Sequence, residues 1–230
     1  RRRWCIRDRL LAPQAQEVEW WPDASGLLAR VPLVAGKSTP YTLVRFSTSG
    51  GPGRALGQQL CHHMITPDGR RAYVVGNCSA NGVGKLTAVD LKNIKYTTLA
   101  TDVSVSSLAI SADSRWVAYV RGLSTPPGCY NATGAAVVAD AAGKKRTVAQ
   151  EVMWASLQFV PGGRLLARRL QCAKAQEMTF MVLDAATGAQ TLSVKEIPND
   201  FYGYGFMGRR YTVTPDGKDV LYAPFTHGLS

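Results

Sequence analysis

The sequence predicts an all-β chain, a β-propeller of four-stranded blades with about five blades in its 230 residues. Three observations carry this expectation. One turn-centred hairpin recurs five times, a hairpin of a second kind alternates with it, and no segment holds a long apolar stripe at helical spacing.

The recurring hairpin reads WWPDASGLLARV at 20–31, ITPDGRRAYVVG at 65–76, ISADSRWVAYVR at 110–121, FVPGGRLLARRL at 159–170 and VTPDGKDVLYAP at 213–224. Aligned on its second turn residue (Pro22, Pro67, Ala112, Pro161, Pro215), it recurs at intervals of 45, 45, 49 and 54 residues. About five residues after each anchor comes an apolar-rich tetrad, from Leu27–Arg30 to Val220–Ala223. In such a turn Pro presets φ, Asp caps the turn through its carboxylate, and Gly accepts positive φ. Ala112 and Gly162 depart from the Pro-Asp pattern, while the flanking apolar runs persist.

The second hairpin is LTAVDLKNIKYTTLA (86–100), AAVVADAAGKKRTVA (135–149) and TFMVLDAATGAQTLSV (179–194), with YTLVRFSTSGGPGRAL (41–56) as a looser copy. Asp90, Asp140 and Asp184 end the first strand of each clear copy, where a side-chain cap starts a turn. Two hairpins per repeat make four strands, the content of a propeller blade. The repeats fall near 13–58, 59–102, 103–151, 152–205 and 206–230, the last completed by 1–12, within a single domain over 1–230. If 1–12 pair with 207–224 the ring closes at five blades. Otherwise the five repeats are part of a six- to seven-bladed ring, and a sheet edge is left open.

The apolar-x-Pro-Asp-Gly-basic-x-apolar-x-Tyr pattern, followed by apolar-Asp-x-x-x-Gly, resembles the WD40-like PD40 repeats of TolB-type propellers. The same pattern occurs in the propeller domains of prolyl-oligopeptidase-like peptidases. The resemblance implies a fold and brings no catalytic residue with it.

The formal net charge is +11, which favours anionic partners in principle. The basic residues are scattered in ones to threes, many of them just after turns, and no nucleic-acid motif accompanies them, so nucleic acid is not an expected partner. No apolar run is long enough for a membrane span. The chain opens on Arg1-Arg2-Arg3-Trp4 without Met and reads as processed or trimmed.

Motifs for chemistry are few. GYGFMG (203–208) has the letters of a dinucleotide fingerprint but leads into a strand pattern, not a helix. ANGVGKL (80–86) lacks the first Gly and the Ser/Thr of a phosphate loop. There is no G-x-S-x-G elbow, so a hydrolase related to the oligopeptidases would need a catalytic domain outside this chain. Glu17 and Glu19 precede the first anchor, where five-bladed glycosidases carry channel acids, but no second blade offers a clear partner acid. No catalytic residue, metal site or cofactor is assigned.

The five cysteines include no Cys-x-x-Cys pair. Cys61 and Cys78 lie almost symmetrically about the turn at Pro67–Gly69, and Cys129 and Cys172 follow anchor hairpins in successive repeats. The expected disulfides are Cys61–Cys78 and Cys129–Cys172, with Cys5 left over. These imply a periplasmic or extracellular location. Asn77-Cys78-Ser79 and Asn131-Ala132-Thr133 are glycosylation sequons, meaningful only in a eukaryotic secretory path.

In a four-stranded blade the loops before the first strand and after the second emerge on one face. That face is expected to carry His62, His63, Tyr130, Asn131, Phe201, Tyr202 and Tyr204, with PPGCYNATG (126–134) and 197–208 as its longest departures from the minimal repeat. The functional expectation is a non-catalytic binding scaffold for a protein or polymer ligand. The alternatives are the gating propeller of an oligopeptidase-like hydrolase and a glycoside-active five-bladed propeller.

Overall fold

Turn chemistry explains where the strands begin. In the second copy, Asp68 accepts hydrogen bonds from the Thr66 hydroxyl at 2.6 Å and the Arg70 amide at 3.0 Å, while the Arg71 amide donates to Thr66 Oγ1 at 3.0 Å. The third copy repeats the arrangement: the Ser111 hydroxyl bonds Asp113 at 2.6 Å and the Trp116 amide bonds Ser111 Oγ at 2.9 Å. The left-handed position is Gly69 in one copy and Ser114 in the other, so the expected glycine is not obligatory. Asp90, Asp140 and Asp184 cap the second hairpins as expected, each accepting backbone amides two to four residues on.

The computed structural model describes residues 15, 17–37, 39–49, 52–127, 129, 131–171, 177–196, 211–214 and 219–222. The chain divides into two compact units, Arg1–Thr101 and Asp102–Ser230. The first holds β1 (Glu17–Trp20), β2 (Gly26–Pro32), β3 (Tyr41–Ser47), β4 (Arg54–Ile65), β5 (Arg71–Gly76) and β6 (Val83–Asp90), with β7 (Lys95–Ser104) running into the second. The second holds β8 (Ala109–Ile110), β9 (Trp116–Ser124), β10 (Thr133–Asp140), β11 (Lys145–Met153), β12 (Gln158–Val160), β13 (Arg164–Gln171), β14 (Glu177–Asp184), β15 (Gln190–Glu196), β16 (Tyr211–Val213) and β17 (Val220–Tyr222). The only helical element among the described residues is a 3-10 turn at Val105–Ser107.

The strands group into antiparallel four-stranded meanders: β1–β4, β4–β7, β8–β11 and β12–β15. The β16–β17 hairpin stands apart among the described residues, and the sheet path runs openly from β1 to β15. The expected pairing of 1–12 with 207–224 involves residues outside the described ones.

Strand β4 belongs to two meanders. Its first half pairs with β3 (Arg45↔Arg54 to Tyr41↔Leu60), its second half with β5 (Leu60↔Gly76 to Ile65↔Ala72). The expected boundary near 58–59 falls beside this change of partner, within the residues of β4. Gln59, at φ 54°, sits at the handover, and the register slips between Leu60 and His62, which makes Cys61 the extra residue of a bulge. In the second unit Glu151, at φ 57°, marks the matching place where the end of β11 turns to β13 through Val152↔Arg169.

The first unit's core joins Trp21, Leu28, Tyr41, Leu43, Leu56 and Leu60 from one meander to Ala72, Val74, Val89 and Leu91 from the next. Trp21 is capped by the guanidinium of Arg45, 3.9 Å above its ring, and by the turn of the second copy, where a Cβ on Gly69 would stand 3.2 Å from Trp21 Nε1. The second unit's main core joins Val120, Val138 and Val152 to Leu165, Met181 and Leu183.

Candidate functional site

Antiparallel order gives each meander two ends. Capped turns occupy one end. The other carries the connections after the second strand and the handovers between meanders. In the first unit this connection end gathers Glu17 from β1, Arg30 from β2, Tyr41 from β3, and Cys61, His62 and His63 from β4.

Glu17 lies directly opposite Arg30 in the β1–β2 register, and its Oε2 meets Arg30 Nη1 at 2.7 Å, with Glu19 Oε1 4.0 Å from Nη2. Both carboxylates thus converge on one guanidinium, which is an ion-pair cluster and not two acids facing each other across a substrate. The Arg30 guanidinium also stands 5.1 Å from the centre of the Tyr41 ring. Tyr41 is buried, and its hydroxyl lies 2.7 Å from His63 Nδ1.

Burial pushes the Tyr41 phenol up to about 12, so it keeps its proton at neutral pH within hydrogen-bonding distance of His63 Nδ1. Burial first, then the Arg30 charge and His62, push His63 down to about 4. His62 is lowered too, by burial and then by Arg30. At neutral pH the network is therefore a neutral Tyr–His pair beneath a guanidinium whose two carboxylates face solvent. It offers oriented hydrogen-bonding groups and a fixed charge cluster. Arg30 Nε is buried without a hydrogen-bond partner.

The structure alters the reading of His62 and His63. Both stand in β4 and not in a loop, because β4 runs on through the handover, and His63 is buried while His62 is half-buried. Asn131 is half-buried just before β10. Tyr130, Phe201, Tyr202 and Tyr204 lie outside the described residues, as do Cys5 and Cys172. Cys61 and Cys78 form a disulfide with a Cα–Cα distance of 6.4 Å, so Cys61 is not open to a metal. Cys129 is also disulfide-bonded and packs against Met153, Leu170 and Met178.

Arg30 and Tyr41 were not singled out in the sequence. A signal for Arg30 existed in the repeat itself: LLAR occurs at 27–30 and again at 165–168. Arg168 is buried over Phe180, 5.2 Å from the ring centre, and the half-buried Arg30 stands over Tyr41 in the same way.

No family model and no curated protein matches the chain. Solved structures do. The dipeptidyl peptidase 4 of Porphyromonas gingivalis aligns over 84% of this chain and 34% of its own, at 12% identity and a TM-score of 0.63. The oligogalacturonate lyase of Vibrio parahaemolyticus aligns over 92% and 58%, at 14% identity and a TM-score of 0.54. The fold is a β-propeller. The acylaminoacyl peptidase of Pyrococcus horikoshii aligns over 75% of this propeller and 30% of its own chain, at 14% identity and a TM-score of 0.50. The propeller spans about a third of the length of both peptidases.

Proposed function

We propose that the chain is a non-catalytic, TolB-like propeller scaffold that binds a protein or polymer partner through the connection end of its sheets. The observation that carries this reading is the segregation of side chains in the first unit. Glu17, Arg30, Tyr41, His62, His63 and the Cys61–Cys78 bridge share the connection end, whereas the acids of the opposite end are taken up in capping their own turns. Leu33 and Val34, each 48% exposed, add an apolar tip to that end in the connection after β2. That connection is held by the Leu33 amide to Pro40 carbonyl bond at 3.1 Å and the Lys37 amide to Val34 carbonyl bond at 3.1 Å. The bonded Cys61, Cys78 and Cys129 support an oxidising, periplasmic or extracellular setting.

A photo-cross-linking residue at position 34, compared with one at position 93 on the turn end, tests the scaffold reading in cells of the source organism. Discrete adducts from position 34 alone support it, and equal labelling from both positions refutes it.

The peptidase similarities favour a second reading, the propeller portion of a larger hydrolase. The full reading frame decides between the two. An α/β-hydrolase segment continuous with this chain would replace the scaffold reading with the hydrolase one.

A further inference from the structure

The turn end of the first unit carries a different chemistry, independent of the partner reading above. Four turns meet there. The Leu91 amide donates to the Arg70 carbonyl at 3.0 Å, tying the two turns of the second meander together, and Gly69 abuts Trp21 and Pro22 of the first. Arg45 and Arg54, paired in the β3–β4 register, bring the remaining turn alongside through the stacking of Arg45 on Trp21.

This end bears Arg45, Arg54, Arg70, Arg71, Lys92 and Lys95. Among the described residues its acids are Asp23, Asp68 and Asp90, and each accepts a backbone amide of its own turn: Ser25 at 2.8 Å, Arg70 at 3.0 Å and Lys92 at 2.9 Å. The carboxylates are thus drawn toward the backbone, while Arg54, Lys92 and Lys95 are exposed, as is Arg70, whose side chain is 85% exposed with its Nε 4.0 Å from Asp68 Oδ2. Tyr96, next to Lys95, is 51% exposed. At the connection end of the same unit Arg30 pairs with Glu17, and Lys37 and Lys85 are its exposed cations among the described residues.

We propose that the turn end of the first unit is a docking surface for an anionic lipid bilayer. The cations are contributed in pairs by three abutting turns: Arg45 and Arg54, Arg70 and Arg71, Lys92 and Lys95. A bilayer surface needs only that such charges come within a Debye length of it, whereas a polyanionic chain is held by a cationic track along its backbone. Tyr96 supplies an aromatic ring of the kind favoured at the headgroup level. Docked in this way, the unit would turn its connection end away from the bilayer.

The test is co-sedimentation of the whole chain with vesicles of phosphatidylglycerol and phosphatidylcholine, against phosphatidylcholine alone. The chain is expected to bind the anionic vesicles, to release at high salt, and to ignore the neutral ones. Arg70→Glu/Lys92→Glu should lower partitioning at least about tenfold, while Lys37→Glu/Lys85→Glu should leave it within about twofold. Both pairs are exposed, and equal thermal melts keep the comparison fair. Equal losses from the two pairs, or no binding to anionic vesicles, overturns the proposal. So does tighter binding to single-stranded oligonucleotide that depends on Arg70 and Lys92.

Discussion

A buried histidine held neutral makes stability depend on pH in a calculable way. His63 titrates at about 4 in the fold, against 6.5 when exposed. The unfolded chain therefore binds the proton more readily between those values. Below pH 6.5 protonation favours the unfolded state, so stability falls as pH drops toward 4 and is fully present above 6.5. The shift corresponds to about 3 kcal/mol across that window. The turn aspartates Asp23, Asp90, Asp113 and Asp184 are shifted the other way, below 3.8, by hydrogen bonds from their own turns. Their stabilising contributions are lost only at still lower pH. Urea unfolding followed by tryptophan fluorescence, at about pH 7 and about pH 4.5, should show most of the His63 loss. The variant Tyr41→Phe/His63→Leu removes donor and acceptor together and should flatten that slope, leaving the smaller contribution of His62. If the double variant keeps the wild-type slope, or His63 titrates by NMR near 6.5, the buried Tyr–His pair is not the source.

Three further outcomes follow from the geometry. Gly69→Ala meets both a φ of 67° and the Trp21 ring, whereas Gly82→Ala meets a φ of 70° in open space. Gly69→Ala should therefore cost about 1 kcal/mol more than Gly82→Ala in chemical denaturation. Cys61→Ser/Cys78→Ser opens a loop of sequence separation 17 and should lower stability by about 3 kcal/mol, read as a urea midpoint shift under non-reducing conditions. Thr66→Val should cost about 1–2 kcal/mol because it strips a partner from Asp68 and the Arg71 amide, and Ser111→Ala should cost a similar amount through Asp113 and Trp116.

The strands were legible because the turns are built from local chemistry. Asp68, Asp90, Asp113, Asp140 and Asp184 each act within a few residues, so spacing alone reveals them. The hydroxyls of Thr66 and Ser111, and of Thr214, whose Oγ1 accepts the Asp219 amide at 3.1 Å, recur at one repeat position. The Cys61–Cys78 bridge was readable for a related reason, since its ends flank one turn. The site was not. Tyr41 and His63 are 22 residues apart and meet only because two meanders pack together. The handover that places His63 in a strand rests on Gln59, a residue with no turn signature, in a left-handed conformation. The segment from Arg54 to Ile65 read as two pieces with a loop between them, whereas β4 runs through it.

That shared strand sets a rule for anyone who would cut or permute this molecule. A repeat excised at the sequence period, between 58 and 59, would divide β4 and separate Tyr41 of β3 from its partner Leu60, while the β5 pairings stay on the downstream piece. The two meanders thus meet within one continuous strand, with no spacer residues at the joint. Workable joints lie in the turns, where the chain closes its own hydrogen bonds before moving on.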